Sequence, residues 1–182
     1  DFCLEIIQLV FPQLKNIQIF KKLNNYAYEN FKRSDFIFIL SLMVIDNSDN
    51  CEYFLYKYNL SNNQKKRIRF LKEIYSKPLD KNFYTEKNLF KIFYIHGKSS
   101  IIDLLNFGIF LSKKGDKKLI KLKEFFDNQI LPVFPIKARD LMDKYHLQEG
   151  TELGKKLKEI ENIWIDNSFN ITDKDVDKII NN

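Results

Sequence analysis

Apolar residues return every three or four positions along most of this chain, as at Ile17, Phe20, Leu23 and Ala27, or at Ile68, Leu71 and Tyr75. That spacing lays one apolar stripe along a helix, whereas a half-buried strand would need strict alternation. Helix-starting residues stand where the runs begin. Ser34-Asp35 precedes the run 36–45, and Thr85-Glu86 and Thr172-Asp173 open two others. Ser61-Asn62-Asn63-Gln64 has the form of a capping box, in which Ser accepts from an orphan helix amide and Gln reaches back. Breaks fall at Pro12, Asp46–Asn50, Ser76–Pro78, Gly115-Asp116, Pro132–Pro135 and His146–Gly150, and Gly97 is expected to end the helix begun at Glu86. The pattern predicts an all-α fold of roughly ten short helices. Phe36–Val44 has the β-branched and aromatic content of a buried strand, but its Ser-Asp cap and lack of a partner run favour a buried helix.

Two prolines in four residues, Pro132 and Pro135, favour extended backbone. A boundary there separates a helical body (1–131) from a compact helical tail unit (132–182). With 182 residues, 45% of them hydrophobic, the chain can bury a substantial core. No apolar run approaches the roughly 18 residues of a membrane span, so no membrane partner is expected. Cys3 and Cys51 lack metal or redox spacing and read as buried small apolar residues in a reduced, cytoplasmic compartment. Phe2–Val10 reads as the middle of an apolar helix with no signal peptide before it, so an N-terminally truncated piece of a longer protein is expected.

The net charge of +6 is unevenly spread. Residues 61–123 carry 16 basic and 5 acidic groups, whereas 1–60 and 124–182 are net acidic. Such a local cationic excess attracts polyanions, and phosphate contacts dominate nucleic-acid affinity. A second explanation stands beside it. The chain holds 26 Lys against 4 Arg, with 18 Asn, 23 Ile and only 2 Ala, the signature of an A/T-rich coding sequence. Lysines supplied by codon bias imitate a nucleic-acid surface.

Motifs for chemistry are few. No phosphate-binding glycine loop, zinc-protease or serine-hydrolase signature occurs. The two histidines, His96 and His146, stand 50 positions apart. Asp46, Asp49 and Glu52 suit turns and caps. Asp173, Asp175 and Asp177 lack the Gly and Glu of a Ca²⁺ loop and suit a helix start. Trp164 continues the stripe Leu153, Leu157, Ile160 and reads as core.

One stretch says more. Residues 134–165 run from an extended Pro segment through a short helix to a turn at Gly150 and then a long amphipathic helix. Free amides at a helix start bind anions. Thr151 opens that start, Gly154 lies one turn in, and Lys155 and Lys156 follow directly. Lys137 and Arg139 stand on the preceding helix. A glycine inside a helix costs about 0.5–1 kcal/mol relative to Ala. Gly154 therefore implies either close approach by a ligand or a tight helix–helix crossing.

Phe134-Pro135, Asp140-Leu141, Gly150-Thr151-Glu152-Leu153-Gly154, Trp164-Ile165 and Phe169 together resemble the C-terminal body and tail of the bacterial tRNA nucleotidyltransferase/poly(A) polymerase family, in its alpha-proteobacterial form. Upstream, FILSLM (38–43) and LYKYNLSNNQKKRIRFL (55–71) resemble that family's apolar helix followed by a basic one. The resemblance implies CCA addition to tRNA 3′ ends, or A addition to RNA. It implies Mg²⁺ and CTP or ATP in a β-containing head and a helical neck whose motifs are missing here, so no catalytic residue, metal ligand or cofactor is expected in this chain.

On this resemblance the chain holds tRNA or another RNA. Lys137, Arg139, Gly150, Thr151, Gly154, Lys155 and Lys156 are the first candidate contacts. Lys113, Lys114 and Lys117, within the run that continues to Lys118, Lys121 and Lys123, are the second. Lys65, Lys66, Arg67 and Arg69 form a further basic cluster. A rival reading is a helical protein–protein interaction domain whose lysines are incidental. CCA addition and poly(A) addition stay undistinguished, as does the oligomeric state.

Overall fold

A computed structural model describes residues 2–22, 28–29, 32–46, 48–77, 83–112 and 116–181. Among them are nine α-helices and no strand: α1 (Phe2–Val10), α2 (Phe36–Val44), α3 (Asn50–Lys57), α4 (Asn62–Ser76), α5 (Glu86–Leu111), α6 (Lys117–Asp127), α7 (Ala138–Tyr145), α8 (Thr151–Asp166) and α9 (Asp173–Ile180). The fold is all-α, as the periodicity predicts. Residues 17–22 form a 3₁₀ helix instead of an α-helix. Ile17 and Phe20 are three apart, which is one 3₁₀ turn and aligns both with the core. Leu23 and Ala27 lie outside the described residues.

Of the predicted helix starts, those at Asp35, Ser61 and Thr172 are capped by their side chains, whereas Thr85 precedes α5 without a side-chain cap. The Asp35 carboxylate accepts from Ile37 N–H at 2.8 Å, opening α2. Ser61 and Gln64 make the reciprocal box, with Ser61 N–H donating to Gln64 Oε1 at 2.8 Å and Gln64 N–H to Ser61 Oγ at 3.3 Å. Replacing Ser61 by Ala is expected to cost about 1 kcal/mol. A denaturation midpoint unchanged by the substitution would show that the cap contributes nothing.

Helix α2 is apolar on every side and buries Ile37, Phe38, Leu40, Leu42 and Val44. Its one polar side chain there, Ser41, is satisfied by donating to Ile37 O at 2.7 Å. These residues pack with Cys51, Phe54 and Leu55 of α3 and with Ile68 and Leu71 of α4. A second cluster joins α5 and α6 through Leu89, Phe93, Leu104, Leu105, Leu119 and Phe126. A third lies wholly within residues 134–180 and centres on Leu141, Leu153, Ile160, Val176 and Ile179.

Gly97 ends one helical stretch as expected, but the helix resumes at once, so α5 is two helices joined at a residue with φ 81° and ψ 173°. Only glycine adopts that left-handed φ cheaply. At Gly108 the reason for glycine is packing. A Cβ there would stand 2.8 Å from both Leu119 Cδ1 and the Tyr84 hydroxyl, so glycine lets α6 close on α5.

One expectation fails. Cys3 is exposed, whereas Cys51 is buried and its thiol is pushed up to about 11 by that burial. The cause is α1, which buries no residue: it touches the 3₁₀ helix at 17–22, but Phe2, Leu9 and Val10 face outward and are exposed.

Candidate nucleic-acid interface

The tail meets the body through an aromatic joint. Helix α8 ends in a left-handed residue, Ser168 (φ 57°), with Phe169 N–H donating to Trp164 O at 2.8 Å and Ser168 N–H to Ile165 O at 3.2 Å. This is the Schellman ending, and it folds Phe169 back onto Trp164 with ring centroids 4.9 Å apart. Tyr94 of α5 packs edge-on to Trp164 at 5.2 Å, and Phe90 reaches Phe169. The Tyr94 hydroxyl donates to Glu161 at 2.5 Å, and Lys91 pairs with Asp166. Burial, then the Glu161 carboxylate, pushes the Tyr94 phenol up to about 12. Trp164 is core, as its stripe predicts. Its partners on α5, 70 positions away, carried no local signal.

Within the tail, α7 and α8 close on Leu141 and Leu153. Lys137 and Arg139 are exposed at the start of α7. Asp140 caps that start by accepting from Lys137 N–H at 3.0 Å, and Arg139 makes only a 3.8 Å surface pair with Asp143. Gly150 precedes α8 with φ 163° and ψ −173°, extended backbone open to any residue, and no side chain caps the helix. The first amides of α8, from Thr151 on, therefore lack intrahelical acceptors. A Cβ at Gly154 would meet nothing within 4 Å. The tight-crossing explanation of Gly154 thus fails: the space beside it is open. Thr151, Gly154 and Lys155 are exposed. Lys156 is committed elsewhere. Its ammonium donates to Ile179 O at 3.1 Å and Ile180 O at 2.9 Å, capping the C-terminus of α9, where a cation also suits the helix dipole.

A groove of ≈ 880 Å³ runs between the start of α5 and α6. Lys117, Lys118 and Lys121 line it beside Tyr84 and Phe125. On α6, positions 117, 118, 121 and 125 share one face, while Leu119, Leu122 and Phe126 are buried in the second cluster. The i, i+4, i+8 spacing of Lys117, Lys121 and Phe125 was readable as a stripe. Tyr84, arriving from the loop before α5, was not. Lysines in the first turn of α6 oppose the helix dipole, and Asp116 offsets this by accepting from Lys118 N–H at 2.8 Å. Lys113 and Lys114 lie outside the described residues. Neither the Gly150 turn nor Lys137 and Arg139 line this groove.

The upstream basic cluster is half consumed. Arg67 forks onto Asp103 at 2.8 and 2.9 Å and reaches Asp35 at 3.0 Å, and Arg69 bonds Glu52 at 3.0–3.1 Å. Among the described residues no group of three or more His, Cys, Asp or Glu is placed to hold a metal ion. The acidic tail residues are occupied too: Asp173 pairs with Lys144, Asp175 caps α9, and Asp177 accepts from Tyr145. No helix of the described residues is long and apolar enough to cross a membrane.

In comparisons with known proteins, no family model matches the chain, and no curated protein or solved structure matches it.

Proposed function

We propose that this chain holds RNA through phosphate contacts, as the body and tail of a CCA-adding or poly(A)-adding nucleotidyltransferase, with the transfer chemistry carried elsewhere. The observation that carries this reading is the lysine face of α6. Lys117, Lys118 and Lys121 line an open groove floored by aromatic rings, the combination that tracks a nucleic-acid backbone while bases stack. The uncapped start of α8 with Lys155 beside it supplies a second anion position. The ordered residues 134–169 carry the family resemblance. Recognition of this kind is by shape and phosphate, which suits an acceptor of many tRNAs.

The test is tRNA binding by fluorescence anisotropy across a salt series. Wild-type chain is expected to bind tRNA at low salt, with log affinity falling linearly with log salt. Replacing Lys117, Lys118 and Lys121 together by Glu is expected to weaken binding and flatten the salt slope by about 2–3, one per lost phosphate contact. Lys155→Glu reports on the α8 start, whereas Lys156 is unsuitable because its loss would fray α9. Absence of tRNA binding at low salt would overturn the proposal. The uncovered apolar face of α1 favours the rival reading, a protein-interaction domain, which predicts no RNA affinity and a protein partner instead.

A further inference from the structure

Where α5 breaks at Gly97, its second half meets the chain before α2 and the end of α6 around a polar cleft of ≈ 350 Å³. That volume lies within the roughly 300–1,000 Å³ of small-ligand pockets. Three features converge on it. First, Lys98 and Ser99 line it, and they begin the resumed helix, where the break at Gly97 interrupts the ladder of helix hydrogen bonds. Second, Arg33 and Lys123 bring cations to its walls, and so does Lys98, whose ammonium also donates to the Asp127 carbonyl oxygen at the end of α6. Third, Asn106 stands in its lining only 6% exposed, and its carbonyl oxygen has no hydrogen-bond partner.

The lining holds four cations against three carboxylates. Two of those carboxylates, Asp35 and Asp103, are taken by Arg67, and the third, Asp127, is exposed at the end of α6. The surplus charge is therefore cationic and suits an oxyanion. A bare anion would leave the Asn106 carbonyl facing negative charge. A ligand carrying a hydroxyl as well as a phosphate answers both, since the hydroxyl donates to the buried carbonyl while the phosphate meets the helix start and the cations.

We propose that this cleft binds a ribose phosphate, either as a free sugar phosphate or as a unit of an RNA strand. The site is separate from the α6 groove and stands independently of the RNA-holding reading.

The experiment is isothermal titration of the full chain with ribose 5-phosphate, and with inorganic phosphate as the probe that lacks a hydroxyl-bearing sugar. Ribose 5-phosphate is expected to bind saturably and about 3- to 10-fold tighter than phosphate, the range of one hydrogen bond to a buried group. Asn106→Leu is expected to erase that advantage and leave phosphate affinity unchanged, while Lys123→Glu weakens both. The two-probe comparison needs no variant, so it holds even if Asn106→Leu fails to fold. Displacement of ribose 5-phosphate by a short single-stranded RNA identifies RNA as the source, and simultaneous binding identifies a free sugar phosphate. Equal affinity for the two probes, no saturable binding, or binding indifferent to Lys123→Glu would overturn the proposal. RNA binding without ribose 5-phosphate binding sinks the cleft alone. Ribose 5-phosphate binding without RNA binding sinks the RNA-holding reading alone.

Discussion

Replacing Arg67 by Ala is expected to destabilise the protein by about 3–5 kcal/mol, because it strands a buried carboxylate. Asp103 is 2% exposed and both its oxygens accept from the Arg67 guanidinium. Burial already raises the Asp103 carboxyl above its ordinary value, and Arg67 is the group that pulls it back. Without Arg67 the folded-state value rises further above the unfolded one. Between those two values the folded chain binds more protons than the unfolded chain, so stability falls as pH rises. The deficit of the variant should therefore be full at neutral pH and shrink as pH drops through the raised Asp103 value toward that of the unfolded chain. Urea titrations at a series of pH values measure it. A deficit that stays constant with pH would show that lost packing, not an unpaired charge, is responsible. Replacing both partners by Met and Leu should recover much of the loss, since an apolar pair carries no desolvation cost.

Trp164→Ala is expected to cost about 3–5 kcal/mol, the range for emptying a buried aromatic site. Trp164 is 3% exposed and touches the rings of Tyr94, Phe134 and Phe169. It therefore joins the body, the extended Pro segment and the Schellman ending of α8. Trp164→Phe should lose much less. Trp164 is the only tryptophan, so its fluorescence in the intact chain reports this joint without a label. A Tyr94→Ala variant should shift that emission to the red as the ring meets water. Chemical denaturation of Trp164→Ala with a midpoint matching the wild type would refute the structural role given to this residue.

Much of the fold was legible because helix signals are local. The caps at Asp35 and Ser61, the stop at Gly97 and the stripe ending at Trp164 each depend on residues a few positions apart. What was hidden depends on partners far away. Arg67 sits in a cluster of four basic residues and reads as surface charge, yet Asp103, 36 positions on, takes it inside. Lys156 reads as the twin of Lys155, but α9 folds back to present its last carbonyls to one and not the other. Gly154 suggested either a crossing or an open approach, and the empty space around it in the fold decides for the second. The apolar content of α1 implied burial that its neighbours do not provide. The groove was half readable: the stripe on α6 is a matter of spacing, whereas its opposite wall comes from Tyr84 through a long connection.

The third cluster has a consequence for how the protein is made. Its members all lie between Phe134 and Ile180, while the first two draw on residues 14–126. On the ribosome, the cores of the body can be complete before the tail has emerged, and neither waits on the other for a missing partner. Only the ring of Trp164 and its neighbours must then find Tyr94 and Phe90, so assembly ends with the meeting of two finished surfaces. A released chain that ended shortly after Pro135 would still have a filled interior, but it would present Tyr94 and the tail-facing side of Phe90 to the cell's quality-control machinery.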